Sequence, residues 1–307
     1  MSVPERLVGF VEALRDHSIL AGPGETLDAA RVLTVLGMDN REYVREGLAA
    51  ALLRRSGQRT VFDQVFDLYF PVSVGGSEDG PRDVEELRDQ LVEALASGTP
   101  VVARRGPNVL TPVPRYQRMG REFRALTGDL PVCGCHVHIG LPDDEARVLV
   151  SNHLRPWLPT LLAIGANSPY CESRDTGYAS WRYLMWGRWP SAGPPPWFES
   201  AASYYAASEE VISTGAAMDV GMLYWDARLS AHHPTVELRV CDVAPTVDEA
   251  VLLAAISRGI ATTALMAEKP AWAVPQHLLR PALWRAARDG LEGLGLDMRT
   301  RELVPAG

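Results

Sequence analysis

Two short runs concentrate the side chains that could do chemistry. In Cys133-Gly134-Cys135-His136-Val137-His138-Ile139-Gly140, a strand would turn successive side chains to opposite faces. His136 and His138 then share one face with Gly134, and Cys133, Cys135, Val137 and Ile139 share the other. Two imidazoles on one strand face can ligate a metal or hold a phosphate. The alternative is a half-buried polar face whose histidines are satisfied by hydrogen bonds. In Thr235-Val236-Glu237-Leu238-Arg239-Val240, the same alternation puts Glu237 beside Arg239. A carboxylate can hold a divalent cation while a guanidinium grips anionic oxygens, so the pair suits one metal-bound phosphate. Taken alone, the pair is better read as an ion pair on a wet sheet face. A third group, Arg174, Tyr178, Arg182 and Arg188, lies on a loop rich in tryptophan and proline. That density suits recognition of a carboxylate or phosphate, against a plain surface loop pinned by Trp181, Trp186 and Trp189. If the two strands are antiparallel neighbours, imidazole, carboxylate and guanidinium line one open sheet surface fit for a magnesium-bound nucleotide.

The elements that must position these residues fall into two unlike parts. Over the first 72 residues the apolar spacing predicts helices. Stripes run through Leu7, Val8, Val11, Leu14 and Arg15, through Leu27, Ala30, Val32, Leu33, Val35 and Leu36, over Glu42 to Arg55, and through Val61, Phe62, Val65, Phe66, Leu68, Tyr69 and Phe70. Residues 73–83 are small, polar and glycine-rich, a linker composition, and a domain of residues 84–307 follows. There, helices are expected over Val84 to Leu95, Glu145 to Leu162, Glu199 to Met218 and Val247 to Met266. Strands are expected over Val132 to Leu141 and Thr235 to Val243, with a long loop from Asn167 to Phe198. The fold class is therefore α+β.

Composition narrows the function. The 307 residues are 47% hydrophobic and 22% charged, with 30 Lys+Arg against 38 Asp+Glu, giving a net charge of −8. That balance speaks against a nucleic-acid partner, which needs a cationic footprint. No run of about 18 apolar residues and no signal peptide is recognised, so no membrane partner is expected and the location expected is cytoplasmic. Four cysteines in so long a chain do not make a disulfide framework. A Walker loop, a nucleophile elbow and a dinucleotide-binding glycine pattern are all missing.

From about Val84 to Val304 the chain resembles the glutamate–cysteine ligase type 2, or carboxylate–amine ligase, family. The matching runs are Cys-Gly-Cys-His-Val-His-Ile-Gly at 133–140, Leu-Arg-Pro-Trp-Leu-Pro at 154–159, Ala-Asn-Ser-Pro at 166–169 and Arg-Asp-Thr-Gly-Tyr-Ala-Ser at 174–180. Arg-Trp-Pro-Ser-Ala-Gly-Pro-Pro at 188–195 and Thr-Val-Glu-Leu-Arg-Val at 235–240 follow in order. The resemblance implies a glutamine-synthetase-like antiparallel sheet with helices, incomplete here, preceded by a small helical domain. It implies ATP and Mg2+, with a glutamate-like carboxylate and a cysteine-like amine as substrates. ATP would phosphorylate the carboxylate and the amine would attack the acyl phosphate. By motif, Glu237 and Arg239 would be catalytic, His136, His138 and Arg239 would hold the nucleotide, and Glu237 with His138 would hold the metal. Arg174, Tyr178 and Arg188 would meet the substrate.

The family's first strand, with its closely spaced glutamates, has no counterpart; Glu85-Glu86 lies in a helical pattern, and the chain ends at Gly307 where the family pattern continues. In that strand's place, Phe10-Val11-Glu12-Ala13-Leu14-Arg15, Gly22-Pro23-Gly24-Glu25-Thr26-Leu27 and Phe62-Asp63-Gln64-Val65-Phe66-Asp67 resemble the start of CoxE-like proteins with von Willebrand A domains. Two functions stand against each other: an ATP-dependent carboxylate–amine ligase with turnover lowered by the missing carboxylates, and a non-catalytic nucleotide- or metal-binding remnant or partner subunit. Self-association into a homo-oligomer is left open.

Overall fold

The computed structural model describes residues 3–19, 21–38, 40–53, 57–71, 97–101, 110, 112–128, 132–267 and 272–307. In chain order its helices are α1 (Val3–Asp16), α2 (Pro23–Leu36), α3 (Arg41–Leu52), α4 (Arg59–Tyr69), α5 (Pro114–Phe123), α6 (Asp144–Leu154), α7 (Leu158–Ile164), α8 (Trp181–Trp186), α9 (Ala201–Ser213), α10 (Val247–Met266) and α11 (Gln276–Asp289). Its strands are β1 (Val137–Gly140), β2 (Tyr170–Cys171), β3 (Arg174–Asp175), β4 (Ala227–Leu229), β5 (Thr235–Leu238), β6 (Leu294–Leu296) and β7 (Leu303–Pro305). This is the expected α+β class. The expected linker at 73–83 and the helix over Val84 to Leu95, with Glu85 and Glu86, lie outside the described residues.

The chain divides into two compact units, one of residues 1–105 with 168–178, the other of 106–167 with 179–307. In the first, α1 to α4 form where the apolar stripes predict them. Asn40 caps α3 by accepting from the amides of Glu42 and Tyr43, both at 3.1 Å. Phe62, Val65 and Phe66 recur at helical spacing on α4 and are buried. Phe10 of α1 meets Phe62 and Phe70 edge-on, each with 5.4 Å between ring centroids, and its own side chain is fully buried. Edge-to-face pairs of this kind add to the area term. Tyr170 joins the same core from the β2–β3 hairpin, where Thr99 donates to its carbonyl at 2.7 Å.

In the second unit β5 is the centre of a three-stranded sheet, paired antiparallel with β1 on one side and β4 on the other. Val236, Leu238, Val137, Ala227 and Leu229 turn inward and join one apolar core with residues of α6, α7, α10 and α11. Helix α6 packs on β4 and β5, and α10 on β1, so helices cover one face of the sheet. The helix expected over Glu145 to Leu162 is broken into α6 and α7 by a 3-10 turn at Arg155–Trp157. Pro156 supplies the break, since it lacks the amide a continuous helix requires. The expected strand ends, too, are shorter. From Val137 to Gly134 is three steps, but from their partners Leu238 to Asp242 is four, so one extra residue bulges out of the second strand.

Helix α10 matches the expected Val247 to Met266, capped by Thr246, which accepts from the Glu249 amide at 3.2 Å. By length and composition it could cross a membrane, although Asp248, Glu249 and Arg258 interrupt its apolar run. Leu253, Ser257, Ala261 and Ala264 bury one side of it in this unit, while Val247, Val251, Leu252, Leu265 and Met266 are exposed. Replacing Phe10 by Ala leaves a cavity at the centre of four aromatic contacts and should cost about 3–5 kcal/mol. Denaturant unfolding followed by circular dichroism checks this, and a loss below about 1 kcal/mol contradicts the packing described.

Candidate functional site

The sheet face away from the helices carries the charged cluster. Register places His138 of β1, Glu237 of β5 and Arg228 of β4 in one row across the three strands. Arg228 donates from Nε to Glu237 Oε2 at 2.9 Å, and Arg239 donates to Glu237 Oε1. His136 Nδ1 lies 3.1 Å and His138 Nε2 4.0 Å from that same oxygen. The four residues that alternation assigns to one face, His136, His138, Glu237 and Arg239, are thus together. His138 and His136 reach solvent, whereas the Glu237 side chain is only 5% exposed. The sheet surface is therefore not open at Glu237, because Arg228, invisible in the motif search, lies across it.

Arg228 is held from behind. Its Nη1 donates to the carbonyls of Val220, Gly221 and Leu223 at 3.2, 3.0 and 2.9 Å. Arg239 lies 5.9 Å from the Tyr224 ring centroid, and its Nε is buried without a hydrogen-bond partner. Burial alone would raise the Glu237 carboxyl, but the His136 hydrogen bond and the two guanidinium charges overcome it and hold the group well below the usual carboxylate range. Burial also pulls the His138 imidazole down, partly opposed by Glu237. The imidazole is fixed by a 2.8 Å contact between its Nδ1 and Thr235 Oγ1.

A second carboxylate, absent from the motif reading, lies under this face. Asp226 is 3% exposed and accepts a 3.0 Å hydrogen bond from the Tyr183 hydroxyl. Its backbone carbonyl accepts from the Arg239 amide at 2.8 Å. Burial pushes its carboxyl up to about 7, with Tyr183 and the charges of Arg182 and Arg239 pulling the other way. Arg182 supports the bulged strand from beneath, donating to the carbonyls of Arg239 and Val240 at 3.3 and 3.5 Å. Gly134 makes room for it, since a Cβ there would lie 2.2 Å from the guanidinium. That is the physical reason for glycine between the two cysteines.

Of the loop candidates, Arg182 meets the strand of Glu237 at the Arg239 and Val240 carbonyls. Arg174 and Tyr178 belong to the first unit, Arg174 as an exposed residue of β3 and Tyr178 with its amide donating to Thr176 Oγ1 at 3.3 Å. Arg188 is exposed in the turn after α8. Magnesium fits the row poorly. Both Glu237 oxygens already accept from guanidinium or imidazole donors, and among the described residues no group of three or more His, Cys, Asp or Glu could hold a metal. Anionic oxygens fit better, given the two guanidiniums on this face.

The second unit is thus an α+β fold whose antiparallel sheet bears a buried carboxylate between two arginines. The family model described as Glutamate-cysteine ligase family 2 (GCS2) matches residues 82–307, so the chain belongs to that family. The CoxE N-terminal helical bundle domain matches residues 7–73. The chain is 47% identical over 227 residues to a protein of Rhodococcus jostii (strain RHA1) named "Putative glutamate--cysteine ligase 2-1", covering 70% of this chain and 62% of that one. It is 49% identical over 222 residues to a protein of the same name from Saccharopolyspora erythraea, covering 72% and 59%. It is 45% identical over 304 residues to "Putative glutamate--cysteine ligase 2" of Salinispora arenicola, covering 93% and 75%. The chain thus spans about six-tenths of the length of the first two relatives.

The two carboxylates titrate stability in opposite senses. Glu237 is lowered from 4.5, so its contribution is complete above that value and is lost as pH falls below it. Asp226 is raised from 3.8 to about 7, so stability is greatest below 3.8 and declines as pH rises through 7. Asp226→Asn should therefore raise the midpoint of thermal unfolding above about pH 7 and flatten its fall between pH 4 and 7. Glu237→Gln should lower the midpoint at neutral pH, with a loss of about 3–5 kcal/mol in stability for breaking a buried ion pair on one side. Calorimetric melts across pH check both signs. Gly134→Ala should lower the midpoint as well, because its Cβ displaces the Arg182 guanidinium.

Proposed function

We propose that this chain carries the anion-binding face of an ATP-dependent carboxylate–amine ligase. The observation that carries the proposal is the pair Arg228 and Arg239 about one buried Glu237. Family membership supports the chemistry. The terminal phosphoryl group of ATP passes to a glutamate-like carboxylate, giving ADP and an acyl phosphate. A cysteine-like amine then attacks the acyl carbon, the C–O bond to phosphate breaks, and the amine proton leaves as the amide forms. Such a reaction needs a fixed array of positive charge more than covalent help, because charge spreads over the phosphoryl oxygens.

Each residue of the row has a part in this reading. Arg239 would meet a phosphoryl or carboxylate oxygen through its guanidinium. Glu237 would hold both guanidiniums in place, and Arg228 would set Glu237 through the three carbonyls that fix its own position. His136 and His138, the exposed members of the row, would meet the nucleotide. Magnesium is the family's usual companion of ATP, but the described donor set does not fit it. The loop residues Arg174, Tyr178 and Arg188 stay as candidates for the substrate carboxylate on residue type alone. A cytoplasmic setting and a small-molecule partner pair, carboxylate and amine, complete the proposal.

ADP release that requires both glutamate and cysteine, followed in a coupled assay, tests it. Arg239→Gln should lower that rate by about 10²–10³-fold, the usual effect of removing one preorganised donor, with the melting curve reporting the fold. ATP binding by calorimetry without any amide product would favour the non-catalytic nucleotide-binding reading instead. Glutamate- and cysteine-dependent turnover that ignores Arg239→Gln would place the chemistry elsewhere.

A further inference from the structure

The strongest feature outside this site is the outer face of α10. Four of its 20 residues, Leu253, Ser257, Ala261 and Ala264, are buried on the side where α6 and β1 pack. The opposite side is open and apolar. Val247 is 77%, Val251 60% and Met266 78% exposed, with Leu252 and Leu265 beside them. At 3.6 residues per turn, Val247, Val251, Ala255, Thr262 and Met266 fall within about 100° of the circumference, so they make one continuous stripe. Single exposed apolar side chains are ordinary, but a contiguous patch marks a surface that meets something.

Charge on this face is sparse and placed at its borders. Asp248 lies in the first turn and Arg258 near the midpoint, both exposed, and neither forms an ion pair among the described residues. Glu249, the third charged residue of α10, is engaged by Thr246, whose hydroxyl donates to it at 3.2 Å. Asp248 and Arg258 stand about 15 Å apart along the axis, at 1.5 Å per residue. A bilayer covering this face would take Arg258 toward its middle, at about 2.5–3.5 kcal/mol. A chain of net charge −8 also gains nothing from an anionic lipid surface. A second copy packed parallel would set Arg258 against Arg258 and Asp248 against Asp248. Packed antiparallel, each Arg258 comes level with the Asp248 of the other copy. The charges of this face therefore complement the same face turned around.

We propose that this face is a self-association surface, on which α10 packs antiparallel against α10 of a second copy about a twofold axis level with Leu253. Such an interface uses the same patch on both copies, and here one helix supplies both partners of its two ion pairs. Ala254, Ala255 and Gly259 are small and exposed near the crossing, so the helix axes can approach to about 8–10 Å. Val251 and Leu252 pack beside them, and Leu265 and Met266 reach past the start of the facing helix. The helix is about 30 Å long, which matches the width of a patch of about 800 Å², the share of each partner in a standard interface. The border charges fix register more than they add affinity. The surface does not depend on the ligase reading, because none of its residues belongs to the Glu237 row.

Sedimentation equilibrium of the full chain tests this, and a reversible dimer is expected. Val251→Lys buries an unpaired charge at the contact and should weaken the dimer at least about tenfold. Arg258→Asp and Asp248→Arg should each weaken it about tenfold, because like charges then face each other, and the two together should restore it to within about threefold of the unaltered chain. All three positions are exposed, and circular dichroism melts show that each variant is folded. A monomeric unaltered chain, a dimer that tolerates Val251→Lys, or a double variant no tighter than either single one overturns the proposal. An unaltered chain that stays monomeric and floats with phosphatidylcholine vesicles assigns the face to a membrane instead.

Discussion

The second unit is organised around one buried carboxylate. Glu237 sits at the centre of the central strand, and burying a charge there is costly unless it is paired and hydrogen-bonded. Two guanidiniums and an imidazole meet that requirement, one from each strand position that register brings within reach. The demand then propagates outward. Arg228 needs its own remaining donors satisfied, and three carbonyls of the segment 220–223 supply them. Arg239 is set by the bulged strand, which Arg182 braces from below, and Arg182 fits only because residue 134 is glycine. A chain of local necessities thus runs from one charge to residues a hundred positions apart.

Much of this was legible in the residues. Alternation alone predicts that His136 and His138 share a face, and that Glu237 and Arg239 do so; the register of β1 with β5 joins them as that pattern requires. The helices of the first unit follow directly from their apolar stripes, as does α10 from its length and its Thr246 cap. These are local signals, and local signals survive in a sequence.

What stayed hidden depends on long-range pairing. Arg228 sits in a three-residue strand, too short to show a period, and becomes important only because β4 lies beside β5. Asp226 is hidden for the same reason. Tyr183, its partner, sits among the tryptophans of α8, where it reads as packing. Helix α11 carries Pro281 inside it, which argues against a helix from propensity, yet Leu279, Leu283 and Ala287 bury one face strongly enough to override it. The break at Arg155–Trp157 shows the reverse case, where proline prevails over an apolar run that continues on both sides.

The charge count of this face agrees with the anion proposed for it. Arg228 and Arg239 bring two positive charges, and Glu237, held well below its ordinary range, brings one negative charge at any ordinary pH. Asp226 could balance the second, but burial raises it to about 7, so near neutrality it is only partly ionised. Its ionisation is therefore linked to what binds above it. An anion at Arg239 adds a negative charge close by, which favours the protonated acid, and removing the anion favours release of the proton. On the proposed reading the row and Asp226 would form one electrostatic unit in which an oxygen anion takes the place of a buried negative charge. That replacement needs no movement of the arginines, and preorganised donors of this kind do the most for a transferring phosphoryl group.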